Sequence, residues 1–572
     1  ALGMEAEKMS RPWEKYYSET ARNFDADAMA HGTLVELINH AGTEFANRPA
    51  MTTVLPNGAA TTLNYAEWLE HSRDFAAYLR ETAGLQRGET VAMMTPNCID
   101  FTIAAAGAFL AGAICTNINP LYTAPEMEHQ LNDSKAKLLI IIDMFGDKVD
   151  EVVGNTDVRQ VVKISLLDFF PFMKKLIIGI VLKHVKKAIP NMAHAHIDFA
   201  DALSQGARAR NGGDIASYTA GQSGADSALF QYTSGTTGRS KGAELSHTGI
   251  LANAAQANCL AEEITNPDGD TTLVILPLYH ITAFALIFVL GIAGGDHMVL
   301  VPSPRPPSNL KTAFENFKVT RFTGINTLFA VLLEEDWFSR DLLKDVVFCG
   351  SGGAAQQTGV AQRWADATGV EIYQGYGMTE CCGVMSLNPL GENRLGSVGI
   401  PVPGLDVRIV DDEGVDQPIG SPGELLFKGP TIMKGYFGRP DATAEALKDG
   451  WLYSGDIAVM DEDGFLEIVD RKKDMILVSG FNVSPNEIED VISKLPGVVE
   501  VGVVGIPDEK SSEVPMAFIV RNDDGVTEEA VIAHCHDGLT NYKVPKRIQF
   551  IDDIPKSPVG KVLRRELRDL VA

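Results

Sequence analysis

The stretch Gln231–Ser246, QYTSGTTGRSKGAELS, decides the fold of this chain. It follows an apolar, strand-forming lead-in at 227–232, and its middle is dense in glycine and hydroxyl groups. Glycines let the backbone approach an anion closely, while exposed N–H groups, hydroxyls and a lysine ammonium donate to phosphate oxygens. The stretch therefore predicts a phosphate-binding loop after a buried strand, with a plain surface loop as the alternative. The candidate ligands are Thr233, Ser234, Gly235, Thr236, Thr237, Gly238 and Lys241.

This loop differs from the phosphate loop of kinases and P-loop ATPases. The Walker A motif continues from its lysine into Ser or Thr at the start of a helix. Here Lys241 is followed by Gly242 and Ala243. The sequence therefore argues against P-loop chemistry.

Length and composition set the class of protein. A chain of 572 residues exceeds one core of ordinary size, so two or more domains are expected. A hydrophobic content of 45% with 22% charged residues is typical of a soluble globular protein. The net charge of −26 disfavours nucleic acid as a partner. It also repels anionic ligands at long range, so a phosphate site must supply its own local cations.

Cysteine usage and hydropathy indicate a cytoplasmic protein. The seven cysteines include the pair Cys381-Cys382 and form no CxxC motif, which is typical of a reduced compartment and not of a zinc site. The residues after Met4 are charged and lack the apolar core of a signal peptide. The most apolar stretch, Leu273–Ala293, is interrupted by Pro277 and His280, which favours buried core over a membrane span.

Strands and helices alternate along the first half of the chain, which predicts an α/β sheet architecture. Helical spacing of apolar residues covers 34–41 and 65–83, and short buried strands are predicted at 89–94 and 137–142. Further strands ending in exposed corners are predicted at 272–280 and 321–329.

The segment 168–190, DFFPFMKKLIIGIVLKHVKKAIP, is basic in an acidic chain. Its lysines combine with an apolar set at helical spacing, which predicts an amphipathic helix. Two interpretations stay open: a helix lying on an anionic membrane, or a surface helix whose apolar face packs on its own domain. The lysines are Lys174, Lys175, Lys183, Lys186 and Lys187.

The glycine cluster Gly350–Ala355 also fits GxGxxA after a strand, with Glu371 about twenty residues on. A dinucleotide-binding fold is thus an alternative on this pattern alone. Its position in mid-chain, behind a complete and different phosphate loop, argues against it.

The charged break at Arg471–Lys473 divides the chain. We expect a large domain over 1–470, a hinge at 471–473 and a small α+β domain over 474–572. In the small domain, Ser484-Pro485-Asn486-Glu487 predicts a helix start with a capping box. Strands are predicted at 499–505 and 515–521, and a helix at 528–539.

From about Leu34 to its end, the chain resembles the adenylate-forming superfamily of acyl-CoA synthetases, luciferases and peptide-synthetase adenylation domains. The tracts that carry the resemblance stand in family order: YTSGTTGRSKG, LPLYH, SGGAA, QGYGMTE, YSGD, VDRKKDMILVSGFNVSPNEIE, YKVPK and PKSPVGKVLRREL. The last three tracts and NPLYT (Asn119–Thr123) look most like bacterial long-chain fatty-acid–CoA ligases. Ser240 stands where the family usually has proline. The resemblance implies a large multi-sheet N-terminal domain and a small, mobile C-terminal lid.

The resemblance implies a role for each matching residue. The loop from Thr233 to Lys241 would hold the β- and γ-phosphates of ATP, Glu380 with Thr233 would bind Mg²⁺, and Thr379 would reach the α-phosphate. Tyr376 would stack on adenine, Asp456 would accept the ribose hydroxyls, and Arg471 would assist. The rest of the nucleotide pocket would be Gly352, Gly353, Ala354, Gln374, Gly375, Gly377 and Met378.

Two further sets complete the implied machinery. Lys561 matches the family's catalytic lysine and would bridge the carboxylate and the α-phosphate. Arg471–Lys473 would be the hinge about which the lid turns, presenting either Lys561 or Ser479-Gly480-Phe481, the latter to the coenzyme A arm. His280 alone would suggest a core histidine, but the resemblance places it near the reacting carboxylate. From its position and apolar character, we also expect Phe284, one helical turn on, to gate an acyl tunnel lined by 324–329.

The function implied is ligation of a fatty acid to coenzyme A through an acyl-adenylate, releasing AMP and pyrophosphate. The enzyme alternatives are the same chemistry on a medium-chain or aryl acid, or a ligase that stops at the adenylate. The non-enzyme alternative is a membrane-docking binding protein built on 168–190, against which the intact phosphate, metal and lysine positions argue. A peripheral location at the inner face of the cell membrane goes with the first interpretation of that segment. A homodimer is expected only by analogy with long-chain relatives.

Overall fold

The described part of the chain is organised around four β-sheets. The structure is a computed structural model, and it describes residues 11–182, 188–233, 240–479, 481–508, 511–557 and 560–571.

The strands before the predicted hinge form three of these sheets. In chain order they are β1 (Pro49–Val54), β2 (Ala60–Asn64), β3 (Thr90–Met94), β4 (Ile114–Asn117), β5 (Ala136–Ile142), β6 (Gln160–Ile164), β7 (Ile197–Asp198), β8 (Ser227–Thr233), β9 (Lys241–Ser246), β10 (Thr271–Val274), β11 (His297–Leu300), β12 (Arg321–Gly324), β13 (Phe348–Ser351), β14 (Tyr373–Met378), β15 (Gly383–Leu387), β16 (Ile400–Pro401), β17 (Asp406–Val410), β18 (Gly423–Lys428), β19 (Gly435–Tyr436), β20 (Leu447–Lys448), β21 (Trp451–Met460) and β22 (Leu466–Arg471). The fourth sheet follows them with β23 (Ile476–Val478), β24 (Phe481–Val483), β25 (Val498–Asp508), β26 (Ser512–Arg521) and β27 (Arg547–Phe550).

The α-helices connect and cover these strands. They are α1 (Glu19–Arg22), α2 (Leu34–Glu44), α3 (Tyr65–Ala77), α4 (Ile99–Leu110), α5 (Ala124–Asp133), α6 (Gly146–Val152), α7 (Phe172–Ile180), α8 (Phe199–Arg210), α9 (His247–Cys259), α10 (Ile281–Ala283), α11 (Leu290–Gly294), α12 (Lys311–Asn316), α13 (Asn326–Leu332), α14 (Thr358–Thr368), α15 (Pro440–Ala446), α16 (Pro485–Ser493), α17 (Glu528–Gly538) and α18 (Arg564–Asp569).

The two largest sheets are interleaved in sequence. One has nine strands in the order β16-β15-β14-β13-β12-β10-β11-β1-β2, and the other has eight in the order β19-β9-β8-β4-β3-β5-β6-β7. The chain therefore starts the first sheet with β1 and β2, builds most of the second, and returns to the first with β10. The eight-stranded sheet is completed only by β19, a two-residue strand paired with β9.

Helix α4 lies between these two sheets, where it packs on β3 and β4 of one and β1 of the other. All of its residues are buried, because the helix has sheet on both sides. Small residues suit this position: a Cβ on Gly107 would lie 2.9 Å from the Ser72 carbonyl oxygen of α3. The run of alanine around it thus permits close contact, which places much of the main core at this layer.

The third sheet joins the large domain to the small one. It consists of β17, β18, β21 and β20, with β22 paired to β21. Strand β22 ends at Arg471 and the fourth sheet begins at Ile476, so the chain changes sheets in the segment predicted as the hinge. Across this segment, the guanidinium of Arg564 contacts Asp470 at 3.3 Å and Glu489 at 3.0 Å. The architecture is the mixed α/β fold that the sequence predicts, with a large N-terminal and a smaller C-terminal domain.

Two predicted strands are shorter than expected. Strand β10 ends at Val274, whose carbonyl accepts from the Val301 N–H at 3.2 Å. Beyond it, the Leu276 carbonyl accepts from the Asn97 side-chain amide at 3.0 Å instead of from a neighbouring strand. The prediction of a strand over 321–329 is wrong beyond Gly324, where α13 begins two residues later. Aromatic residues there suggest β-structure, but Phe329 packs at helical spacing against Trp364.

Helix α7 corresponds to the predicted amphipathic segment, with Lys183, Lys186 and Lys187 outside the described residues. Its apolar face is exposed and does not pack on its own domain: Phe172 is 76% and Met173 62% exposed. On the other side, Ile178 packs on Leu167 and Phe170. Within the part of the chain that the structure describes, no helix is both long and apolar enough to cross a membrane.

Candidate active site

The carboxyl ends of three neighbouring parallel strands, β12, β13 and β14, form the floor of the candidate site. In such sheets, ligands bind at this edge. Ser351 lies opposite Gln374, which places the glycine loop after β13 beside Gly375; a Cβ on Gly352 would be 3.6 Å from the Gly375 carbonyl oxygen. The structure thus brings together Gly352, Gly353, Ala354, Gln374 and Gly375, the residues predicted to line the adenine pocket.

The next residues of β14 turn the chain toward the second sheet. Gly377 packs so closely on β15 that a Cβ would lie 1.8 Å from the Gly383 carbonyl oxygen, so no side chain fits there. Met378 ends the strand, and a short turn over Thr379–Cys381 follows, closed by Cys382 at a φ of 61°. This turn contacts both β8 and β9.

Asn253 of α9 holds this turn from behind. Its buried amide donates to the Val384 carbonyl at 2.6 Å and accepts from the Val384 N–H at 3.0 Å, and it also donates to the Cys381 carbonyl at 3.4 Å. These bonds fix the backbone on the far side of Thr379 and Glu380.

The predicted phosphate loop closes a hairpin. Thr233 at the end of β8 pairs with Lys241 at the start of β9. The loop residues Ser234, Gly235, Thr236, Thr237 and Gly238 lie outside the described residues. The Lys241 ammonium lies 4.5 Å from the ring centroid of Tyr436.

Glu380 has a partner that the sequence did not predict. Its carboxylate is 7% exposed, and Oε1 accepts a 2.7 Å hydrogen bond from the Tyr436 hydroxyl. Burial, followed by the charge of Glu380, raises the pKa of Tyr436, so the phenol stays a donor. Strand β19 carries Tyr436 here by pairing it with Ala243.

The donors at this turn fit Mg²⁺ bound jointly with phosphate. Glu380 and Thr233 offer oxygen ligands only, the type that Mg²⁺ prefers, and the ion ordinarily takes one or two carboxylates plus substrate phosphates and water. Among the described residues, no cluster of three or more His, Cys, Asp or Glu side chains is placed to hold a metal ion.

Asp456 lies next to Tyr376, as the predicted nucleotide site requires. The Tyr376 hydroxyl donates to Oδ2 of Asp456, and the Tyr376 ring stacks beside Phe427 at 6.3 Å. Arg471 is the cross-strand neighbour of Asp456 in the β21–β22 pair. Burial raises the pKa of Asp456, against the opposing effects of the Tyr376 hydroxyl and the Arg471 charge.

Lys561 reaches this group from the C-terminal domain. Burial, with the Arg471 charge as the next cause, lowers the pKa of Lys561 to about 8, while Asp456 and Glu380 act in the opposite direction. A Cβ on Gly353 would lie 3.9 Å from Cε of Lys561. The preceding Gly560, with a φ of 78°, seats against Ile325 at the end of β12. The structure therefore places Lys561 of the C-terminal domain beside the glycine loop that follows β13.

His280 stands at the edge of the same group as a neutral imidazole. Burial, and then the charge of Lys561, lowers the pKa of His280 to about 3. Its Nδ1 accepts from the Thr282 N–H at 3.4 Å at the start of α10. Gln231 of β8 fixes the preceding residue by donating to the Tyr279 carbonyl at 3.0 Å.

Other predicted residues lie apart from this group. Phe481 is 57% exposed and stacks on Tyr542 of the lid at 4.9 Å, and Ser479 donates its N–H to the Ser511 carbonyl at 2.7 Å. Gly480 lies outside the described residues. Lys473, by contrast, lies near the group: burial, and then the charge of Arg471, lowers its pKa, while the charges of Asp474 and Asp456 act in the opposite direction.

Phe284 occupies a core position. It is fully buried and contacts Phe101, Phe109 and Phe288. Its role as a gate to an acyl tunnel stays a prediction.

Sequence reasoning missed Tyr436 and Asn253. Tyr436 lies in a two-residue strand that gives no periodic signal. Asn253 is one of three amides in the tract LANAAQAN, with Gln256 and Asn258. Buried amides are normally hydrogen-bonded, but the sequence alone does not single out Asn253 among the three.

Comparisons with known proteins indicate the family of the chain. The family described as AMP-binding enzyme matches residues 38–437, and the AMP-binding enzyme C-terminal domain matches residues 487–561. The chain is 41% identical over 563 residues to a long-chain-fatty-acid–CoA ligase of Escherichia coli and 42% identical over 566 residues to that of Salmonella typhimurium, in each case covering 98% of both chains. Among solved structures, it is similar to the anthranilate CoA ligase AuaEII in complex with anthranoyl-AMP, with a TM-score of 0.82, 26% identity, and coverage of 96% of this chain and 99% of that one.

Proposed function

Because the chain belongs to the AMP-binding enzyme family, we propose that it joins a long-chain fatty acid to coenzyme A through an acyl-adenylate. In the first step a carboxylate oxygen bonds to the α-phosphorus of ATP, and the bond from that phosphorus to the bridging oxygen of pyrophosphate breaks. In the second step the thiol sulfur of coenzyme A bonds to the acyl carbon and loses its proton, while AMP leaves with the oxygen.

The position of Lys561 is the observation that carries this proposal. The first step brings two anions together, so a cation is needed where they meet. With a pKa of about 8, Lys561 is mostly protonated at neutral pH. The charges that act on its pKa are those of Arg471, of Asp456, the proposed ribose ligand, and of Glu380, the proposed metal ligand. His280, neutral at this pH, adds no competing charge.

Glu380 and Thr233 would hold Mg²⁺ together with the phosphates of ATP, and the ion would neutralise charge on the departing pyrophosphate. The hydrogen bond from the Tyr436 hydroxyl to Oε1 of Glu380 would hold this carboxylate in place. Lys241, at the base of the phosphate loop, adds a second cation from this chain.

The second step assigns a role to the opposite face of the lid. Ser479, Gly480 and Phe481 would meet the pantetheine arm after the lid turns about residues 471–473. The exposure of Phe481 supports this, because a large apolar side chain on the surface is available to a ligand. The same proposal includes the domain boundaries, with the large domain ending at residue 470 and the small domain beginning at residue 474.

The choice of substrate rests on the full-length relatives named long-chain-fatty-acid–CoA ligase. The structural similarity to an anthranilate CoA ligase keeps an aryl acid as the alternative. Mass-resolved product analysis with ATP, Mg²⁺, coenzyme A and a panel of fatty and aryl acids separates the two. We expect AMP and a long-chain acyl-CoA. A non-fatty thioester as product, or an adenylate without any thioester, would contradict the assigned substrate or end product but not the adenylation chemistry. Release of ADP would contradict the mechanism itself.

Lys561→Ala tests the catalytic assignment. Adenylation should fall by a large factor, whereas thioester formation from supplied acyl-adenylate should persist, because that step makes no new bond to phosphorus. Lys546→Ala, at an exposed position in the same domain, is the control. Equal loss in both steps would contradict the role.

We also propose that α7 docks the enzyme on an anionic membrane, where its substrate would be concentrated. Its outward side chains form a continuous apolar surface, which soluble proteins seldom expose without a partner; they are Phe172, Met173, Leu176, Ile177, Ile180 and Val181. Exposed Lys174 borders this surface, and Lys175 is paired with Asp168 at 2.8 Å. Apolar insertion with flanking lysines is the pattern of an interfacial helix.

Vesicle co-sedimentation tests this docking. Changing the five lysines of 168–190 to glutamine should weaken binding to phosphatidylserine vesicles, by about 1 kcal/mol for each lysine near the surface. Phe172→Ser combined with Ile177→Ser should weaken binding to neutral vesicles as well. Lys311→Gln with Lys318→Gln, on another surface, is the control. Unchanged binding of both variants would make the segment structural.

The homodimer stays a prediction by analogy, which sedimentation velocity tests.

A further inference from the structure

The lid meets the large domain at the first turn of α14. There, one carboxylate oxygen of Asp490, in α16 of the lid, accepts two hydrogen bonds from Thr358, one from the backbone N–H and one from the hydroxyl, both at 2.7 Å. No side chain of the large domain caps this helix among the described residues. The cap of α14 is therefore supplied across the domain interface.

The chemistry of this contact makes it strong for its size. The first N–H groups of a helix have no partner within the helix, and a negative charge there is favoured by the helix dipole. Hydrogen bonds to a carboxylate are also shorter and stronger than neutral ones. The contact is lost as soon as α16 moves away, because Asp490 belongs to the lid.

Close backbone packing surrounds the cap. A Cβ on Gly359 would lie 2.7 Å from the Ser493 carbonyl oxygen, so a larger residue would separate the helices. The same carbonyl accepts from the Arg363 guanidinium at 3.0 Å. Helices α14 and α16 thus meet in one register, with Asp490 over the end of α14.

A short series of contacts connects this cap to the turn that carries Lys561, called the lysine turn below. Gln357, the residue before Thr358, donates its N–H to the Asn326 side chain at 3.0 Å. Asn326 follows Ile325, against which Gly560 is seated. The same loop, 352–357, begins with the glycines next to Lys561. The cap and the lysine turn therefore rest on neighbouring parts of one surface.

We propose that Asp490 is a positioning residue: by capping α14 through Thr358, it holds the lid where Lys561 lies in the site. It touches no reacting atom and acts through the docking of the lid. This inference rests on the proposed function, because the step that Asp490 supports is the one assigned to Lys561. The acid-dependent adenylation step should therefore depend on Asp490, and the thioester step should not.

Kinetics of the two half-reactions test this in the full-length enzyme. Asp490→Ala should lower acid-dependent ATP–pyrophosphate exchange about tenfold, equivalent to about 1.4 kcal/mol, and leave thioester formation from supplied acyl-adenylate unchanged or faster. Asp490→Asn, which keeps an acceptor but not the charge, should fall between. Lys494→Gln removes the other partner of Asp490, an exposed ion pair, and should change neither rate.

A second measurement does not depend on turnover. Hydrogen exchange at the Thr358 amide should be faster in Asp490→Ala, with Lys494→Gln as the reference. Thr358→Val, which loses only the hydroxyl donor, should lower adenylation less than Asp490→Ala does. The loss in the double variant, Asp490→Ala with Thr358→Val, should be smaller than the sum of the two single losses. Equal loss in both half-reactions, or unchanged exchange at Thr358, would overturn the inference. If the wild-type protein released no AMP with any acid, the proposed function would be wrong. Hydrogen exchange at the Thr358 amide would still test whether Asp490 caps α14.

Discussion

Gly560→Ala offers the sharpest test of how the lid is seated. Gly560 has a φ of 78°, in the left-handed region, and its Cα faces the side chain of Ile325. A Cβ built on it would lie 1.8 Å from Cδ1 of Ile325. The substitution therefore adds a single methyl group at the point where the turn carrying Lys561 meets the large domain.

The size of the effect follows from two terms. A left-handed conformation costs an alanine roughly 1–2 kcal/mol. In addition, two carbons that prefer a separation of about 3.5 Å must move apart by about 1.7 Å. A displacement of 1 Å at a reacting group can lower a rate on the order of a hundredfold, so adenylation should fall by about that factor or more.

Rapid-quench measurement of acyl-adenylate formation is the assay, with thioester formation from supplied acyl-adenylate as the internal reference. Gly414→Ala is the matched control, because Gly414 has a φ of 80° and no atom within 4 Å of its Cβ position. Ile325→Val removes Cδ1 and should restore part of the lost rate when combined with Gly560→Ala. Normal adenylation in Gly560→Ala, or no recovery in the double variant, would refute the reasoning.

Three further predictions concern residues around the site and the core. Tyr436→Phe removes a bond to the Glu380 carboxylate worth about 1.5–3 kcal/mol; half-maximal activity should then need more Mg²⁺, and an unchanged Mg²⁺ titration would contradict this. Asn253→Ala removes the hydrogen bonds that its side chain makes to the buried N–H and C=O of Val384. Chemical denaturation should then show a free energy of unfolding lower by about 2–3 kcal/mol, and an unchanged midpoint would contradict this role of Asn253. Burial raises the pKa of Asp143 from 3.8 to about 6. Between these two values the unfolded state releases a proton that the folded state keeps, so the wild-type protein loses stability as the pH rises from about 4 to about 6. The melting temperature of Asp143→Asn relative to wild type should rise over this range and level off above it, and a constant difference would contradict the shift.

Local patterns predicted most elements that lie within one run of sequence. The helix at 528–539 is found at Glu528–Gly538, and the strand at 89–94 at Thr90–Met94, because each carries its own periodicity and its own boundaries. Ser484 accepts from the Glu487 N–H at 3.3 Å, as the capping pattern indicates. Such signals act over a few residues, so one sequence is enough to detect them.

What failed depends on contacts between distant residues. Asn326 looks like part of a strand until its side chain binds the loop before α14, thirty-one positions on. Tyr436 reaches Glu380 only because β19 adds to the edge of another sheet. The exposure of apolar side chains on α7 depends on the surface around the helix, which the local pattern does not contain. Tertiary partners decide these positions, and no local pattern encodes them.

The interleaving of the two large sheets has a consequence for how the chain folds. The nine-stranded sheet has strands at 49–64 and 271–401, and most of the other sheet is built from residues between these segments. Neither sheet can be completed from a contiguous piece, so the large domain should acquire its order late and as one cooperative unit, with slow closure of long loops. The C-terminal sheet draws all its strands from 476–550. This sheet should fold early and independently, before the large domain has formed the surface on which it docks.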